Sequence, residues 1–384
     1  MLKNKLSDNE LRRYARHLVL PEVGEEGQKL FKASRVLIIG AGGLGSPLGL
    51  YLAAAGVGRI GIIDFDKVSY SNLQRQVLFT ENEVGKPKAE IAKEQFHEIN
   101  SRISVKAYNE KLTYKNAIDI IKDYDIVADG SDNFSAKYLV NDACVLLGKP
   151  LVYGSVLRFE GQASVFNAKD GPCYRCLFPE PPDADNVLSC EEVGVLGVLP
   201  GIIGSIQANE IIKLIIGKGE LLAGRLLMLN SMEMKFREVK FEKNPDCPVC
   251  GKNPVIKKLT EELYNFESCE TGNMADNNFN PEITVEELKK KIDNRERFFL
   301  LDVREPIETR ISSIGGELIP LNDLPRRINE LNKDDEIIIY CRSGHRSHNA
   351  VQYLREHAGF KKVRNLLGGI NLWAEKIDNS LQKY

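Results

Sequence analysis

Over the first 250 residues, short apolar runs alternate with longer stretches of helical pattern. The runs "RVLIIG", "RIGIID", "YDIVADGSD" and "KPLVYGSV" are apolar, largely β-branched and bounded by turn residues, so each reads as a buried strand. Strands that alternate with helices predict an α/β domain built on a mostly parallel sheet. The pattern changes from about Lys252. The stretch "ELYNFESCETGNMADNNFNPE" has neither a strand period nor a helix period and is rich in Asn and Glu, so 253–280 reads as a linker. A second, smaller α/β unit begins at 281. In "TVEELKKKI", Thr284 and Glu287 predict a capping box at the start of a short helix. Further on, "EIIIY" predicts a strand over Ile337–Tyr340, and "CRSGHRSHNA" predicts a tight loop that opens a helix. The expected division is 1–252, 253–280 and 281–384.

Between the first two predicted strands lies "GAGGLGSPLG", in which Gly40, Gly42 and Gly45 fit G-x-G-x-x-G. Glycines here let a backbone turn tightly and approach phosphates at a helix N-terminus, and Asp64 falls where a ribose-hydroxyl acceptor belongs. The pattern alone suits NAD as well as ATP, which leaves an NAD-dependent oxidoreductase open at this point.

The whole chain is 384 residues, 43% hydrophobic and 28% charged, the composition of a soluble globular protein with room for two or three domains. With 52 basic and 54 acidic side chains, no overall field attracts nucleic acid or an anionic membrane. The start, "MLKNKLSDNELRRYARHLVL", lacks the apolar core of a secretory signal, and a cytoplasmic location is expected. The longest apolar stretch, Val193 to Ile206, is interrupted by Pro200 and glycines and is too short to span a bilayer.

Eight cysteines in a reducing compartment do not form a disulfide framework. Cys173 with Cys176 and Cys247 with Cys250 form two C-x-x-C pairs, which suit a closed tetrahedral Zn2+ site. A thioredoxin-like redox pair is the alternative, but neither pair follows a βαβ start. Cys341 ends a strand and precedes a helix beside arginines. Unpaired backbone N–H groups and positive charge both favour a thiolate there, which suits a nucleophile better than a structural cysteine.

The stretches "SNLQRQ", "VGKPKAE" and "ADGSDNFSAKYLVN" closely resemble the adenylating domain of the MoeB/ThiF family, relatives of ubiquitin-activating enzymes. The likeness runs from "RYARH" to about Cys250 and implies a Rossmann-like domain that binds ATP rather than NAD. It further implies that Arg75 and Lys88 grip the triphosphate, that Asp132 holds Mg2+, and that Asn72, Gln76, Gly43, Asp64, Asp66 and Asn133 belong to the nucleotide site. Arg16 would reach into the neighbouring subunit of a homodimer. These residue types suit the chemistry: a carboxylate attacking an α-phosphate needs fixed cations and a divalent metal but no base. A solvated cluster of Arg75, Lys86 and Lys88 is the alternative. In sulfur-transferring members of the family, a cysteine placed like Cys190 takes up the activated acyl group, and in this chain Cys190 would help to resolve the intermediate formed when a persulfide attacks the activated carbonyl.

The last hundred residues, through "FFLLDVREPIE", "IIIYCRSGHRS" and "NLLGGINLW", resemble a rhodanese domain. That implies a persulfide on Cys341, cradled by an active loop of Arg342, Ser343, Gly344, His345 and Arg346, with both arginines adding positive field. Where the family usually has a longer loop after "DVREP", this chain has "SSIGGELIPL". Taken together, the two resemblances imply an adenylyltransferase/sulfurtransferase. It would activate the C-terminal Gly-Gly carboxylate of a small ubiquitin-like, MoaD/ThiS-like carrier and convert it to a thiocarboxylate. A cysteine desulfurase or thiosulfate would supply the sulfur. A carrier-binding scaffold with an inactive rhodanese domain remains the alternative. Molybdopterin synthesis, thiamine synthesis and tRNA thiolation all use such machinery.

Overall fold

β-Strands form where the apolar runs predict them. In the first sheet, β1 (Arg35–Ile39), β2 (Arg59–Ile63), β3 (Ser104–Tyr108), β4 (Ile126–Asp129) and β5 (Leu151–Leu157) lie parallel in the order β3-β2-β1-β4-β5. The computed structural model describes residues 5–181, 194–264 and 279–384. β1 and β4 are buried along almost their whole length, because helices cover both faces of a parallel sheet. β6 (Glu160–Phe166), β7 (Arg225–Asn230) and β8 (Lys235–Lys240) extend the sheet antiparallel from β5. β8 is its exposed edge.

The chain divides into two compact units, Met1–Ser268 and Cys269–Tyr384. In the first unit, the apolar stretch that begins near Val193 becomes the 19-residue helix Val198–Ile216. It is long and apolar enough to cross a membrane by length and composition, yet it packs on β5, β6 and the helix Gly45–Ala55. Pro200 is tolerated because it lies in the first turn, where a backbone N–H has no partner within the helix. Residues 253–264 dock on this unit: Ile256 joins the cysteine-rich cluster, while Leu259, Leu263 and Tyr264 pack against the core below the sheet.

The second unit is a parallel five-stranded sheet, ordered β11-β10-β12-β13-β9. Its strands are β9 (Glu282–Ile283), β10 (Phe299–Asp302), β11 (Glu317–Leu318), β12 (Ile337–Tyr340) and β13 (Val363–Leu366). The predicted capping box is present: Thr284 Oγ1 accepts from the Glu287 N–H, and Glu287 accepts from the Thr284 N–H. β12 is wholly buried at the centre of the sheet, which fixes the position of Cys341 at its end.

Candidate functional site

β1 ends at Ile39, and the chain turns through Gly40–Leu44 into the helix Gly45–Ala55. Gly40 has φ +89°, and a Cβ there would stand 3.0 Å from the Gly130 carbonyl oxygen. A Cβ at Gly45 would stand 2.0 Å from the Gly40 oxygen, so the tight turn itself demands both glycines. Gly42 is different. Among the described residues a Cβ there meets only Gln76 Nε2, at 3.6 Å, so none of them requires glycine at this position. Room above this backbone is what a phosphate at a helix N-terminus uses. Gln76 borders the same space, and its buried Oε1 has no hydrogen-bond partner among the described residues. Gly43 packs beneath Pro200, with Arg75 beside it.

Asp64 follows β2 and turns back to this loop: Oδ2 accepts from the Ala41 N–H at 2.8 Å and Oδ1 from the Asp66 N–H at 2.8 Å. Burial raises the Asp64 pKa, and the nearby Lys88 ammonium acts in the opposite direction. Lys88 opens the helix Lys88–Ile99 and is only 6% exposed, with Nζ donating to Asp66 Oδ2 at 3.2 Å. It is therefore no solvated surface lysine, whereas Lys86 is exposed. Asn72 is buried, and its Oδ1 accepts from the Ser69 N–H. Arg75 is half-buried, donates to the Ser71 carbonyl, and lines an open cleft of about 690 Å³ with Val198, Ile202 and Phe236.

Asp132 and Asn133 follow β4, two and three residues beyond the Gly130 that packs on Gly40. Asn133 caps the helix Phe134–Leu146, its Oδ1 accepting from the Ala136 N–H at 2.8 Å. Asp132 is exposed, and among the described residues its carboxylate has no hydrogen bond or ion pair. A free carboxylate beside a phosphate loop is the donor chemistry that Mg2+ takes. Arg16 is exposed on the short helix Ala15–Leu18. That segment is anchored through His17 Nδ1 to Gln28 Oε1 and through Asn100 Nδ2 to the Tyr14 hydroxyl.

Cys190 lies outside the described residues. The chain on either side of it is tied down. Tyr138 Oη donates to the Glu180 carbonyl at 2.6 Å, and Arg158 pairs with the backbone of Gly194 and Leu196.

Cys173, Cys176, Cys247 and Cys250 come together with all four sulfurs within 4.8 Å of one another. Their contacts are 3.6 Å for Cys173 with Cys247, 3.9 Å for Cys173 with Cys176 and 3.4 Å for Cys176 with Cys250. Four thiolates at ordinary zinc distances around a tetrahedron stand about 3.8 Å apart, so the cluster fits Zn2+. The Asn244 N–H donates to Cys176 Sγ, and a Cβ at Gly251 would collide with the Cys247 carbonyl, as expected of a tight turn around a metal. Convergence of the two pairs on one point favours a shared site over two separate redox pairs.

In the second unit, Cys341 is fully buried at its Sγ end and accepts from the Gly344 N–H at 3.1 Å and the Ser347 hydroxyl at 3.4 Å. Gly344 precedes the helix His345–Glu356. The loop carbonyls of Cys341 and Arg342 accept from the N–H groups of Ile370 and Asn371, at the start of the helix Gly369–Lys376. Gly369 has φ +56°, and a Cβ there would stand 2.4 Å from the Cys341 oxygen, which accounts for "LGGINLW". Ser343 is half-buried and His345 exposed.

The two loop arginines differ from the expectation of a shared positive field. Arg346 is held by Glu308 in a two-pronged pair, with Nη1 and Nη2 each 2.7 Å from a carboxylate oxygen, so its charge is largely balanced. Burial alone raises the Glu308 pKa, but Arg346 outweighs it and holds the carboxyl below the usual range. The Arg342 guanidinium lies over the Tyr384 ring, 5.2 Å from its centre. Tyr384 in turn donates to Glu308 and accepts from Arg304. Arg304 is completely buried in a two-pronged pair with Asp302 and donates to the Ser312 carbonyl. The divergent loop "SSIGGELIPL" thus still closes on "DVREP".

A ThiF family model matches residues 14–249, and a rhodanese-like domain model matches 284–376. The chain belongs to the ThiF family. The probable adenylyltransferase/sulfurtransferase MoeZ of Mycobacterium tuberculosis is 44% identical over 99% of this chain and 96% of that protein. The adenylyltransferase and sulfurtransferase MOCS3 of Culex quinquefasciatus is 41% identical over 99% and 91%. Among solved structures, Escherichia coli MccB is 27% identical with a TM-score of 0.56, covering 63% of this chain and 73% of that one. MccB with ATP gives 25% identity and a TM-score of 0.55 over 65% and 75%.

Sequence reading of this ThiF-family chain did not single out its buried polar clusters. Asp142 takes a two-pronged pair from Arg175 and a hydrogen bond from the Tyr264 hydroxyl at 2.9 Å, joining the helix Phe134–Leu146, the first C-x-x-C pair and the segment after the second. Lys137, four residues after Asn133, is equally buried. An ionisable residue on the apolar face of a helical pattern was the available signal.

Proposed function

We propose that the protein activates the C-terminal Gly-Gly carboxylate of a small ubiquitin-like, MoaD/ThiS-like sulfur carrier with ATP, and converts it to a thiocarboxylate with sulfur held on Cys341. The observation that carries this reading is the order of the two parts. A ThiF nucleotide loop precedes a rhodanese-type cysteine loop in one chain, as in adenylyltransferase/sulfurtransferases matched over nearly the full length.

In the first step, a carrier carboxylate oxygen bonds to the α-phosphorus and the bond to the β-phosphate oxygen breaks, releasing pyrophosphate. Arg75 and Lys88 hold the triphosphate over Gly42, and no base is needed because the nucleophile is already an anion. Mg2+, when bound through Asp132, offsets the charge that builds on the departing pyrophosphate. In the second step, the outer sulfur of the Cys341 persulfide attacks the acyl carbonyl, and AMP leaves with the electron pair of the broken C–O bond. Cys190 then attacks Cys341 Sγ. The carrier departs as a thiocarboxylate, and a Cys341–Cys190 disulfide remains for an external dithiol to reduce. Zn2+ on the four cysteines ties the end of the adenylating domain to its middle and takes no part in these steps.

In this reading the adenylating domain is 1–252, the linker 253–280 and the rhodanese domain 281–384, with the linker docked on the first unit as far as Tyr264. The location is cytoplasmic, where thiols stay reduced. The active species is a homodimer in which Arg16 serves the partner's nucleotide. Arg16→Ala and Asp132→Ala proteins, each inactive alone, should recover part of the ATP–pyrophosphate exchange when mixed. No recovery, or a monomer on sedimentation, removes the role given to Arg16.

The function is tested by incubating the protein with ATP, Mg2+, a cysteine-desulfurase persulfide or thiosulfate, and candidate Gly-Gly carriers. The expected product is a carrier whose intact mass has exchanged one oxygen for one sulfur. A protein that binds NAD and supports no carrier-dependent pyrophosphate exchange contradicts the reading.

A further inference from the structure

Lys137 has no part in the chemistry above, yet its surroundings are built around its charge. Its side chain is 5% exposed, and all three ammonium protons have acceptors: Asp129 Oδ2 at 2.9 Å, the Ser131 carbonyl at 2.8 Å and the Gly154 carbonyl at 3.1 Å. The Tyr153 ring lies 4.9 Å away on another side. One nitrogen therefore joins a side chain at the end of β4 to the backbone of the turn after it and of β5.

That turn carries Asp132. Asp129 Oδ1 accepts from the Ser131 N–H at 2.9 Å and from the Ser131 hydroxyl at 2.6 Å, so the carboxylate that balances Lys137 also shapes the turn. Gly130 donates to the Ile39 carbonyl at 2.8 Å and packs on Gly40 of the phosphate loop. Gln207, on the helix Val198–Ile216, donates to the Asp129 and Val152 carbonyls and closes the cluster from above. Asp132 itself has no such support, being exposed and without a hydrogen bond or ion pair among the described residues. Its placement depends on the backbone beneath it.

We infer that Lys137 is a positioning residue for metal-bound ATP: its ammonium fixes the Asp129–Asn133 turn and so keeps the Asp132 carboxylate beside the glycine loop. This rests on the reading of Asp132 as the Mg2+ ligand. An apolar side chain would fill the same space, but it would take the ammonium donor from the Ser131 and Gly154 carbonyls and from Oδ2 of the buried Asp129 carboxylate, and the turn would relax. Outer residues that orient a metal ligand typically govern metal affinity by about 10–100-fold.

The test is titration of ATP into the full-length, zinc-loaded protein, with and without Mg2+, for the native chain, Lys137→Met, Ser131→Ala and Asp132→Asn. Lys137→Met should keep Mg2+-free ATP affinity within about twofold while the Mg2+ concentration needed for tight binding rises by about tenfold or more. Ser131→Ala, which removes the hydroxyl bond to Asp129 but keeps the backbone N–H on Asp129 and the carbonyl on Lys137, should shift it less and in the same direction. It stands in if Lys137→Met does not fold. A Mg2+ requirement unchanged in Lys137→Met or its stand-in but abolished in Asp132→Asn overturns the positioning role alone. Equal weakening with and without Mg2+ overturns it as well, since general loosening would do that. A Mg2+ requirement untouched by Asp132→Asn removes the ligand reading and the inference together.

Discussion

The Gly344 N–H donates to Cys341 Sγ across 3.1 Å, and it can do so because Gly344 sits at φ +101°. A Cβ at that position would also stand 3.1 Å from the Gly368 nitrogen. Gly344→Ala should therefore cost about 1–2 kcal/mol in backbone strain and turn the donor away from the sulfur. Persulfide formation on Cys341, read as added sulfur mass, should drop sharply, while carrier-dependent ATP–pyrophosphate exchange is unaffected. Undiminished sulfur loading would show that this donor is dispensable.

The Glu308–Arg346 pair sets an acid limit for the second unit. Glu308 has its pKa depressed in the folded state, against the effect of its own burial, by Arg346. A depressed carboxyl contributes stability that is present above its unfolded pKa, about 4.3, and is lost as pH falls through the folded value. Calorimetric melting of the second unit should therefore drop as pH falls below about 4.3. Glu308→Gln should be less stable at neutral pH and less sensitive to acid. Equal acid sensitivity in the two proteins would place the effect elsewhere.

What the sequence made legible follows how local each cause is. The strand Ile337–Tyr340 and the Thr284–Glu287 box depend on residues within a few positions, and both appear where the pattern put them. The glycine loop and the C-x-x-C pairs were also readable, because spacing carries their chemistry. Of the antiparallel strands, β8 carries no apolar run, since it is exposed along its length, whereas β7 holds "LLML", which the alternation of strands and helices left unassigned. Glu308 with Arg346, and Asp142 with Tyr264, are joined only by the fold, across 38 and 122 positions of chain. No periodicity announces such partners, so the balance of charge around Cys341 could not be foreseen.

Purified protein should hold about one Zn2+ per chain, because four cysteines fill a closed tetrahedral site. Cys247→Ser should lose most of the metal and melt at lower temperature, since the segment from Pro245 to Tyr264 is held partly by this cluster. Unchanged stability together with full metal content would remove the site from the account.

The central claim is that one chain divides adenylation and sulfur delivery between two units, and paired variants test it most directly. Carrier-dependent ATP–pyrophosphate exchange and thiocarboxylate formation are measured side by side for Cys341→Ala and Asp132→Ala, with the fold checked by circular dichroism. Cys341→Ala should keep exchange near the native rate and yield no thiocarboxylate. Asp132→Ala should lose exchange by about a hundredfold or more, as loss of a charge-stabilising group does, yet still accept sulfur on Cys341. Loss of exchange in a well-folded Cys341→Ala protein would mean that the thiol takes part in activation, and would contradict the division of labour.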